Sequence, residues 1–549
     1  MRFRTLRKTD FSLPHSFTTD AISRLDQDAS DALATIREWK NSLVRINRIP
    51  LEILSLIPTY LVSQKDRFYA ASVCRHWRKV FLQHGAIWSE LFTGKGEVYV
   101  KTLLKRVKGS PIDVIVRGDT PAGTAALLPT QQIRRLEFTN SYWEDIIAFS
   151  EIGSGSFPLL QILEITSVYD RHGQFISVTP LSLPFFRGAV DMKQFTFHSN
   201  RLQLLSRFVF PNLTTFDLLT WPGTGSDVSH LLDFLKASPM LRKVGVKING
   251  RFVPGGIPLE IVVVLPNAES FALSMRTYTR MHVYNIAAHV SCPRAKQTSL
   301  MHEIHDIDVA PELEIFPAPT ELSKITDQYT TSPNPVEEVT LEIEPALSEA
   351  FIKCSLTLRS SNETIVRLGF QVLDTGLKED ELLMSLEEIG CEAFNQAHRT
   401  IGNHPPLAHI KRLHVKYPAA IEDSDLVLFM ANEVGRLFGS MGPLDSLTIE
   451  GCDLRIYLAS ILDLPEFEDL EQQIVFPPVN ELTILHPLMD DIEEECLEAI
   501  VELAKSRHAL GIQFGRVTLY TEWLPAGMAE RLKQWVGEAD CYEEVYAEE

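Results

Sequence analysis

Pro211-Asn212-Leu213-Thr214-Thr215-Phe216-Asp217-Leu218, Pro239-Met240-Leu241-Arg242-Lys243-Val244-Gly245-Val246, Pro266-Asn267-Ala268-Glu269-Ser270-Phe271-Ala272-Leu273 and Pro293-Arg294-Ala295-Lys296-Gln297-Thr298-Ser299-Leu300 are four variants of one phrase, with 28, 27 and 27 residues between successive prolines. In each, the anchors stand two, five and seven residues past the proline. A proline fixes φ in the turn, and the last two anchors, two residues apart, share one face of an extended chain. The phrase therefore predicts a turn followed by a short strand.

The same triplet of anchors recurs outward at Ile133/Leu136/Phe138, Leu160/Leu163/Ile165 and Met192/Phe195/Phe197, and beyond the four at Val336/Val339/Leu341, Ile410/Leu413/Val415, Leu444/Leu447/Ile449 and Val479/Leu482/Ile484. In a chain that is 45% apolar the anchors alone carry little, but eight of the eleven units have a proline one or two positions ahead, where chance supplies about one. Helical faces lie between strands. Val228, Leu231, Leu232 and Leu235 precede Pro239, and Ile492, Cys496, Leu497, Ile500 and Ala504 precede a last strand near Val517 and Leu519. An earlier unit begins with the helix face of Leu103, Leu104 and Val107, after which Pro111 introduces Ile112, Val114 and Val116. Alternating strand and helix at this period predicts an α/β array, a curved parallel sheet with helices outside. Two stretches break the period: 302–334, read as a long proline-rich loop, and 342–409, read as irregular with antiparallel strands around Leu356 and Val366.

The N-terminal part is different. Residues 20–40 place Ile22, Leu25, Ala29, Leu33, Ile36 and Trp39 at helical amphipathic spacing, which ordinarily means packing on the helix's own domain. Ile49 and Pro50 then open a second helix with Ile53, Leu54, Ile57 and Leu61 on one face and a kink expected at Pro58. Asp66 is placed to cap a third helix with Ala70, Val73, Cys74 and Trp77 on one side, and Trp88 and Leu91 close the cluster. About 45 residues are too few for an ordinary independent core, so this piece must lean on something else.

These residues resemble the F-box, a helical module that docks on the Skp-type adaptor of cullin–RING ubiquitin ligases. Ile49-Pro50-Leu51-Glu52-Ile53-Leu54 stands at its opening motif, Asp66-Arg67 before its middle helix, Val73-Cys74-Arg75-His76-Trp77-Arg78 at its central signature and Trp88-Ser89-Glu90-Leu91 at its close. The resemblance implies adaptor-facing or signature roles for Pro50, Leu51, Ile53, Leu54, Ile57, Leu61, Val73, Cys74 and Trp77, with Cys74 a small hydrophobe rather than a nucleophile. The basic Arg67, Arg75, Arg78 and Lys79 suit an acidic adaptor. The array behind it resembles the irregular leucine-rich-repeat solenoids that often follow an F-box, notably in fungal sets. Its consensus Asn or Cys after the last anchor appears as Asn249 and Cys452.

Charge separates the two parts: residues 1–110 hold 19 Lys and Arg against 10 Asp and Glu, leaving 33 against 62 for the rest of a chain of net charge −20. An acidic body and a head without dense basic clusters disfavour nucleic acid. No apolar run approaches the roughly 18 residues of a membrane span, and no signal-type segment follows the N-terminal basic residues. Seven cysteines without paired spacing point to a reducing compartment, cytoplasmic or nuclear.

Motifs that carry chemistry are few. No phosphate-binding Gly-rich motif is present. Gly94-Lys95-Gly96, Gly153-Ser154-Gly155 and Gly223-Thr224-Gly225 read as turns, and His302-Glu303-Ile304-His305-Asp306 lacks the spacing of a helical zinc site. The paired acids Asp490-Asp491 and Glu493-Glu494-Glu495 read as a solvated helix face. No catalytic residue, cofactor or metal is expected, and a hydrolase hidden in 302–409 lacks a nucleophile and base at credible spacing. Period two exposes Glu137, Glu164, Asp217 and Glu338 on the strand face opposite the core, with the basic Lys243, Lys247, Arg412, His414 and Lys416 as candidate contacts to an unknown protein substrate. The expectation is thus a basic segment with an amphipathic helix (1–47), an F-box (48–95), a degenerate leucine-rich-repeat array (96–536) and a mobile acidic tail (537–549). Together they would make a non-catalytic ligase subunit that reaches cullin through the adaptor, or an adaptor-binding scaffold.

Overall fold

The proline signal has a direct structural cause. In the turns 157–160, 210–213, 238–241, 265–268 and 292–295 the amide of the first anchor donates to the carbonyl three residues back: Leu160 to Phe157, Leu213 to Phe210, Leu241 to Ser238, Ala268 to Leu265 and Ala295 to Cys292. Pro158, Pro211, Pro239, Pro266 and Pro293 occupy the second position of these turns, where a φ near −65° is already required. A second motif repeats with them. The carbonyl of the residue after the first anchor accepts two amides from the next unit: Thr214 and Thr215 donate to Lys193, Arg242 and Lys243 to Thr214, Glu269 and Ser270 to Arg242, and Lys296 and Gln297 to Glu269. Backbone geometry repeats where side chains vary.

The computed structural model describes residues 19–61, 63–118, 122–151, 156–166, 185–186, 188–199, 202–220, 228–249, 263–276, 286–304, 336–346, 351–360, 365–372, 410–416, 424–452, 454–458, 476–485, 493–521 and 524–543. They fall into two units, 1–136 and 137–549. The first contains helices α1 (Thr19–Ser42), α2 (Leu51–Tyr60), α3 (Gln64–Ser72) and α4 (Arg75–Gln83), strand β1 (Glu90–Phe92), α5 (Glu97–Val107), β2 (Ile112–Arg117) and the short α6 (Ala122–Ala125). β1 and β2 pair in parallel. Strand β3 (Ile133–Thr139) spans the boundary.

The second unit continues with α7 (Trp143–Glu151), β4 (Ile162–Thr166), β5 (Gln194–His198), β6 (Thr215–Thr220), α8 (Ser229–Lys236), β7 (Lys243–Asn249), β8 (Val263–Val264), β9 (Ser270–Arg276), β10 (Val290–Ser291), β11 (Gln297–Ile304), β12 (Val336–Ala346), β13 (Phe351–Ser360), β14 (Ile365–Val372) and β15 (Arg412–Lys416). It ends with α9 (Ser424–Ser440), β16 (Leu444–Glu450), α10 (Leu454–Leu458), β17 (Val479–Leu485), α11 (Glu493–Ala509), β18 (Arg516–Thr521), α12 (Met528–Lys533) and β19 (Glu538–Glu543). From β4 to β11 the main sheet is parallel, with the two-stranded β8–β10 pair beside it. β11 then pairs in parallel with β14, and the meander β14–β13–β12 leads to β15, after which parallel pairing runs to β19.

Register follows the anchors. Leu163, Phe195, Phe216, Val244, Phe271 and Thr298 form one cross-strand row, and Ile165, Phe197, Leu218, Val246, Leu273 and Leu300 a second. The rows pass through the meander and continue as Leu413, Leu447, Leu482 and Val517 and as Val415, Ile449, Ile484 and Leu519. All of these are buried. Aromatic rings thicken the early part of this core: the Phe195 ring lies 4.8 Å from Phe208, 5.3 Å from Phe210 and 5.8 Å from Phe216.

Several expectations are corrected. The sheet is large and mostly parallel but neither curled nor closed, against the curvature predicted. Curvature accumulates when every repeat adds the same rotation; here successive anchors from Leu163 to Thr298 are 21 to 32 residues apart and a meander interrupts the array. Residues 302–304 belong to β11 rather than to a loop, and 342–346 to β12. The antiparallel strands expected around Leu356 and Val366 are β13 and β14. The remainder of both stretches, 305–334, 347–350, 361–364 and 373–409, lies outside the described residues, as do Gly153-Ser154-Gly155, Gly223-Thr224-Gly225 and Asp490-Asp491. The acidic tail is corrected as well: 538–543 form β19, in which Ala539 is buried, Asp540 meets Arg516 and Tyr542 stacks on Tyr520 at 4.6 Å. The count of acids hid a period-two alternation with Ala539 and Cys541. The apolar stripe of α1, expected to pack on its own domain, is exposed.

Candidate functional site

The helical module in the first unit is built around tryptophans. Trp88 is fully buried, donates its indole N–H to the Phe81 carbonyl at 2.8 Å, and carries the Arg106 guanidinium 4.9 Å from its ring. Trp77, 7% exposed, stacks on Phe81 at 5.8 Å. Leu54, Ala71, Val80, Ile87 and Leu91 are also buried, and Val100, Leu103 and Val107 of α5 supply the remaining core. The small cluster thus leans on the next segment of the same unit.

Helix boundaries differ from the sequence reading. Ser63, not Asp66, caps α3: its hydroxyl accepts from the Asp66 amide, and donates to the Asp66 carboxylate at 2.7 Å. Cys74 is extended, with φ −157° and ψ 171°, and separates α3 from α4, so Val73, Cys74 and Trp77 do not share one helix. α2 continues through Pro58 to Tyr60, placing the proline in its last turn. Arg67 donates to the Leu61 carbonyl and pairs with Glu90, and Arg78 donates to the Ala71 carbonyl, tying the helices together from their margins.

This packing sorts the adaptor-facing candidates. Pro50, Leu51, Ile53 and Val73 are exposed; Ile57, Leu61 and Cys74 are half-buried; Leu54 and Trp77 belong to the core. α2 is apolar on two faces, with Leu54 buried and Ile57 half-buried on one and Ile53, Leu56 and Tyr60 exposed on the other. Leu56, Tyr60 and Tyr69 escaped sequence reasoning, although the spacing of Ile53, Leu56 and Tyr60 was there to be read. Between residues 45 and 91 seven Lys and Arg stand against three Asp and Glu.

On the sheet, the basic candidates form two separate groups. Lys243 and Lys247 lie on β7, and Arg412, His414 and Lys416 on β15, six strand spacings away, about 29 Å at ~4.8 Å each. The β15 group is matched by carboxylates on its neighbours: Arg412 to Glu338 at 3.1 Å, His414 to Glu450 at 3.0 Å, and Lys416 to Glu450 at 3.2 Å. Burial raises the Glu450 carboxyl, but hydrogen bonds and charge from Lys416 and His414 outweigh it and leave it below its ordinary value. Near β7, the small residues Gly245, Ala272 and Ser299 lie along the floor of a hollow of about 250 Å³, bordered by His198, Asp217, Lys247, Ser274 and Met301. Lys247 pairs with Glu303 at 2.7 Å, and Ser274 donates to the same carboxylate. Burial raises the Asp217 carboxyl and lowers the His198 imidazole, each opposed by the other's charge.

Among the described residues no group of His, Cys, Asp and Glu is arranged to hold a metal, and no helix is long and apolar enough to cross a membrane. Five cysteines among the described residues stand outside any disulfide, and burial pushes the Cys292 thiol up to about 12, far from nucleophilic use. Cys452, at the consensus position, reaches the Val415 carbonyl of the adjoining strand at 3.7 Å.

Comparison with known families agrees with the helical module. The F-box-like family model matches residues 46–93, so this segment is an F-box-like domain, of the class that in general binds Skp-type adaptors and typically belongs to non-catalytic ligase subunits. No curated protein matches the chain.

Proposed function

We propose that the protein is a substrate-recognition subunit of a Skp–cullin–F-box ubiquitin ligase, acting in the reducing cytoplasm or nucleus. Its F-box docks on the adaptor, and its sheet unit, read as a degenerate leucine-rich-repeat array, holds a protein substrate. The chain breaks and forms no covalent bond; it supplies proximity, holding its cargo within reach of a ubiquitin-charged enzyme that cullin carries. The observation that carries this reading is the exposure of Leu51, Ile53 and Val73 on a module whose Trp77, Trp88 and Leu54 are already committed to its interior. Exposed apolar side chains on a basic module suit an acidic partner with an apolar groove. On the sheet, the hollow beside Lys247 and the cation–carboxylate ladder at β15 offer mixed charge, which favours a protein surface over a nucleic-acid backbone.

The test uses the full chain. Replacing Leu51, Ile53 and Val73 together by Asp should weaken binding to a purified Skp-type adaptor by at least about a hundredfold while leaving the melting temperature unchanged. Trp77→Ala should instead lower stability by about 3 to 5 kcal/mol, losing adaptor binding only through unfolding. Undiminished binding by the triple variant overturns the docking assignment. Capture of adaptor with cullin from extract supports the ligase reading, whereas adaptor without cullin supports a non-degradative scaffold. Substrate binding is checked separately, by charge reversal at Lys243, Lys247, Arg412 and Lys416 and measurement of which cellular proteins lengthen in half-life.

A further inference from the structure

Gly245 of β7, Ala272 of β9 and Ser299 of β11 stand side by side in one register row on the outward face of the sheet. Neighbouring strands lie only ~4.8 Å apart, so three short side chains in succession lay that face bare down to its backbone. The result is the hollow of about 250 Å³. That is below the ~300 to 1,000 Å³ of sites that take a whole small molecule, and is room for one side chain. The rim has two unlike ends. At one, the Lys247 ammonium is neutralised by Glu303 at 2.7 Å, a carboxylate that also accepts from the Ser274 hydroxyl at 2.9 Å. At the other stands Asp217. A Cβ on Gly245 would lie 2.7 Å from Asp217 Oδ1, so the carboxylate leans over the floor of the hollow and needs the glycine beneath it.

Asp217 is short of a cation. Among the described residues it makes no ion pair, and Lys243, diagonal to it on β7, does not reach it. The neighbour that acts on it is the His198 imidazole, held below its free value of 6.5 by burial and thus mostly uncharged at neutral pH. With Lys247 and Glu303 cancelling, the hollow carries one negative charge in excess. We propose that it is a subsite for an arginine side chain of the protein substrate, the guanidinium lying on the Gly245–Ala272 floor and donating two N–H groups to Asp217. A guanidinium is planar and can lie against bare peptide groups, and its paired donors match a carboxylate, whereas an ammonium offers a point charge. An acidic side chain would meet Asp217 and Glu303, and an apolar one would cover Asp217 without pairing it. The inference rests on the sheet unit being the substrate-holding surface, and gives that surface a chemical preference.

Fluorescence anisotropy of the full-length chain tests it, with random nonapeptides that carry arginine at the centre. The same library is made with citrulline, which keeps the shape and loses the charge, and with lysine. The arginine library should bind at least about tenfold tighter than the citrulline library, with lysine between them. Asp217→Asn should erase the difference, with a melting temperature no lower than wild type and adaptor binding unchanged. Ala272→Leu, which fills the floor and keeps the carboxylate, should do likewise. Equal binding of the arginine and citrulline libraries overturns the proposal, as does an arginine preference that survives Asp217→Asn, or a chain that binds none of the libraries. Capture of adaptor with cullin is read on the same proteins. A chain that captures both yet shows no arginine preference loses the subsite alone, whereas an arginine preference without cullin keeps the subsite and removes the ligase reading.

Discussion

Gly85 shows how closely the helical module is fitted to α5. A Cβ there would stand 2.1 Å from the Val107 carbonyl oxygen and 2.9 Å from Ser110 Oγ, and the carbonyl belongs to backbone that cannot rotate aside. Gly85→Ala should force the Gly85–Trp88 turn away from α5, costing at least about 1 to 3 kcal/mol, seen as a lower melting temperature of the full chain. An unchanged melting temperature would mean that this approach is not fixed. His198 offers a prediction of opposite character. Its imidazole is held below the free value of 6.5 by burial, so the unfolded chain takes up the proton first as pH falls. The contribution is therefore present above about 6.5 and is lost below it. The melting-temperature advantage of wild type over His198→Asn should shrink between about pH 7.5 and 5.5. At this scale the sequence was legible where a residue's type has one use, as with the turn prolines. It was not where burial decides: Leu54 and Ile53 are chemically alike and adjacent, yet only the packing of α2 shows that the first is interior and the second exposed.

Among elements, β19 is the clearest case of a composition misread. Glu538 is exposed and Asp540 half-buried, while Ala539 and Cys541 pair with the buried Val517 and Leu519, and half-burial pushes the Cys541 thiol up to about 11. A chain ending at Val536 should leave β18 as a bare edge, with faster amide exchange in 516–521 and a greater tendency to aggregate. Unaltered protection in β18 would show that β19 contributes nothing to the sheet. The strands between β4 and β11 were legible because proline, anchor spacing and turn geometry all mark the same positions. The capping of α3 was not, because Ser63 and Asp66 are both good caps and either one is a reasonable choice from sequence.

At the level of the whole molecule, the sheet is an array in which the described strands from β4 to β9 and from β15 to β19 pair each with the next. Disturbance should therefore stay local. Phe195→Ala removes a ring in contact with Phe197, Phe208, Phe210, Phe216 and Phe234 and should cost about 3 to 5 kcal/mol. Hydrogen exchange should accelerate in β4 to β7 and stay as in wild type in β17 and β18. Uniform acceleration would instead indicate one cooperative block. The division into a basic helical head and an acidic strand–helix body was legible from charge and period. That the sheet does not curl was not, since curvature depends on how far each spacer displaces its strand, which anchor triplets do not encode.

The reversed strand β13 has a consequence for how such a chain can grow. An up–down–up insert re-enters a parallel ladder travelling in the original direction, and here it also hands on the hydrophobic row without a slip, from Leu300 through Leu368, Leu356 and Leu341 to Val415. β11 and β15 consequently present matching polarity and matching phase on either side of it. The meander behaves as a cassette: excised as a whole, it leaves two ends of matching direction that can be spliced edge to edge.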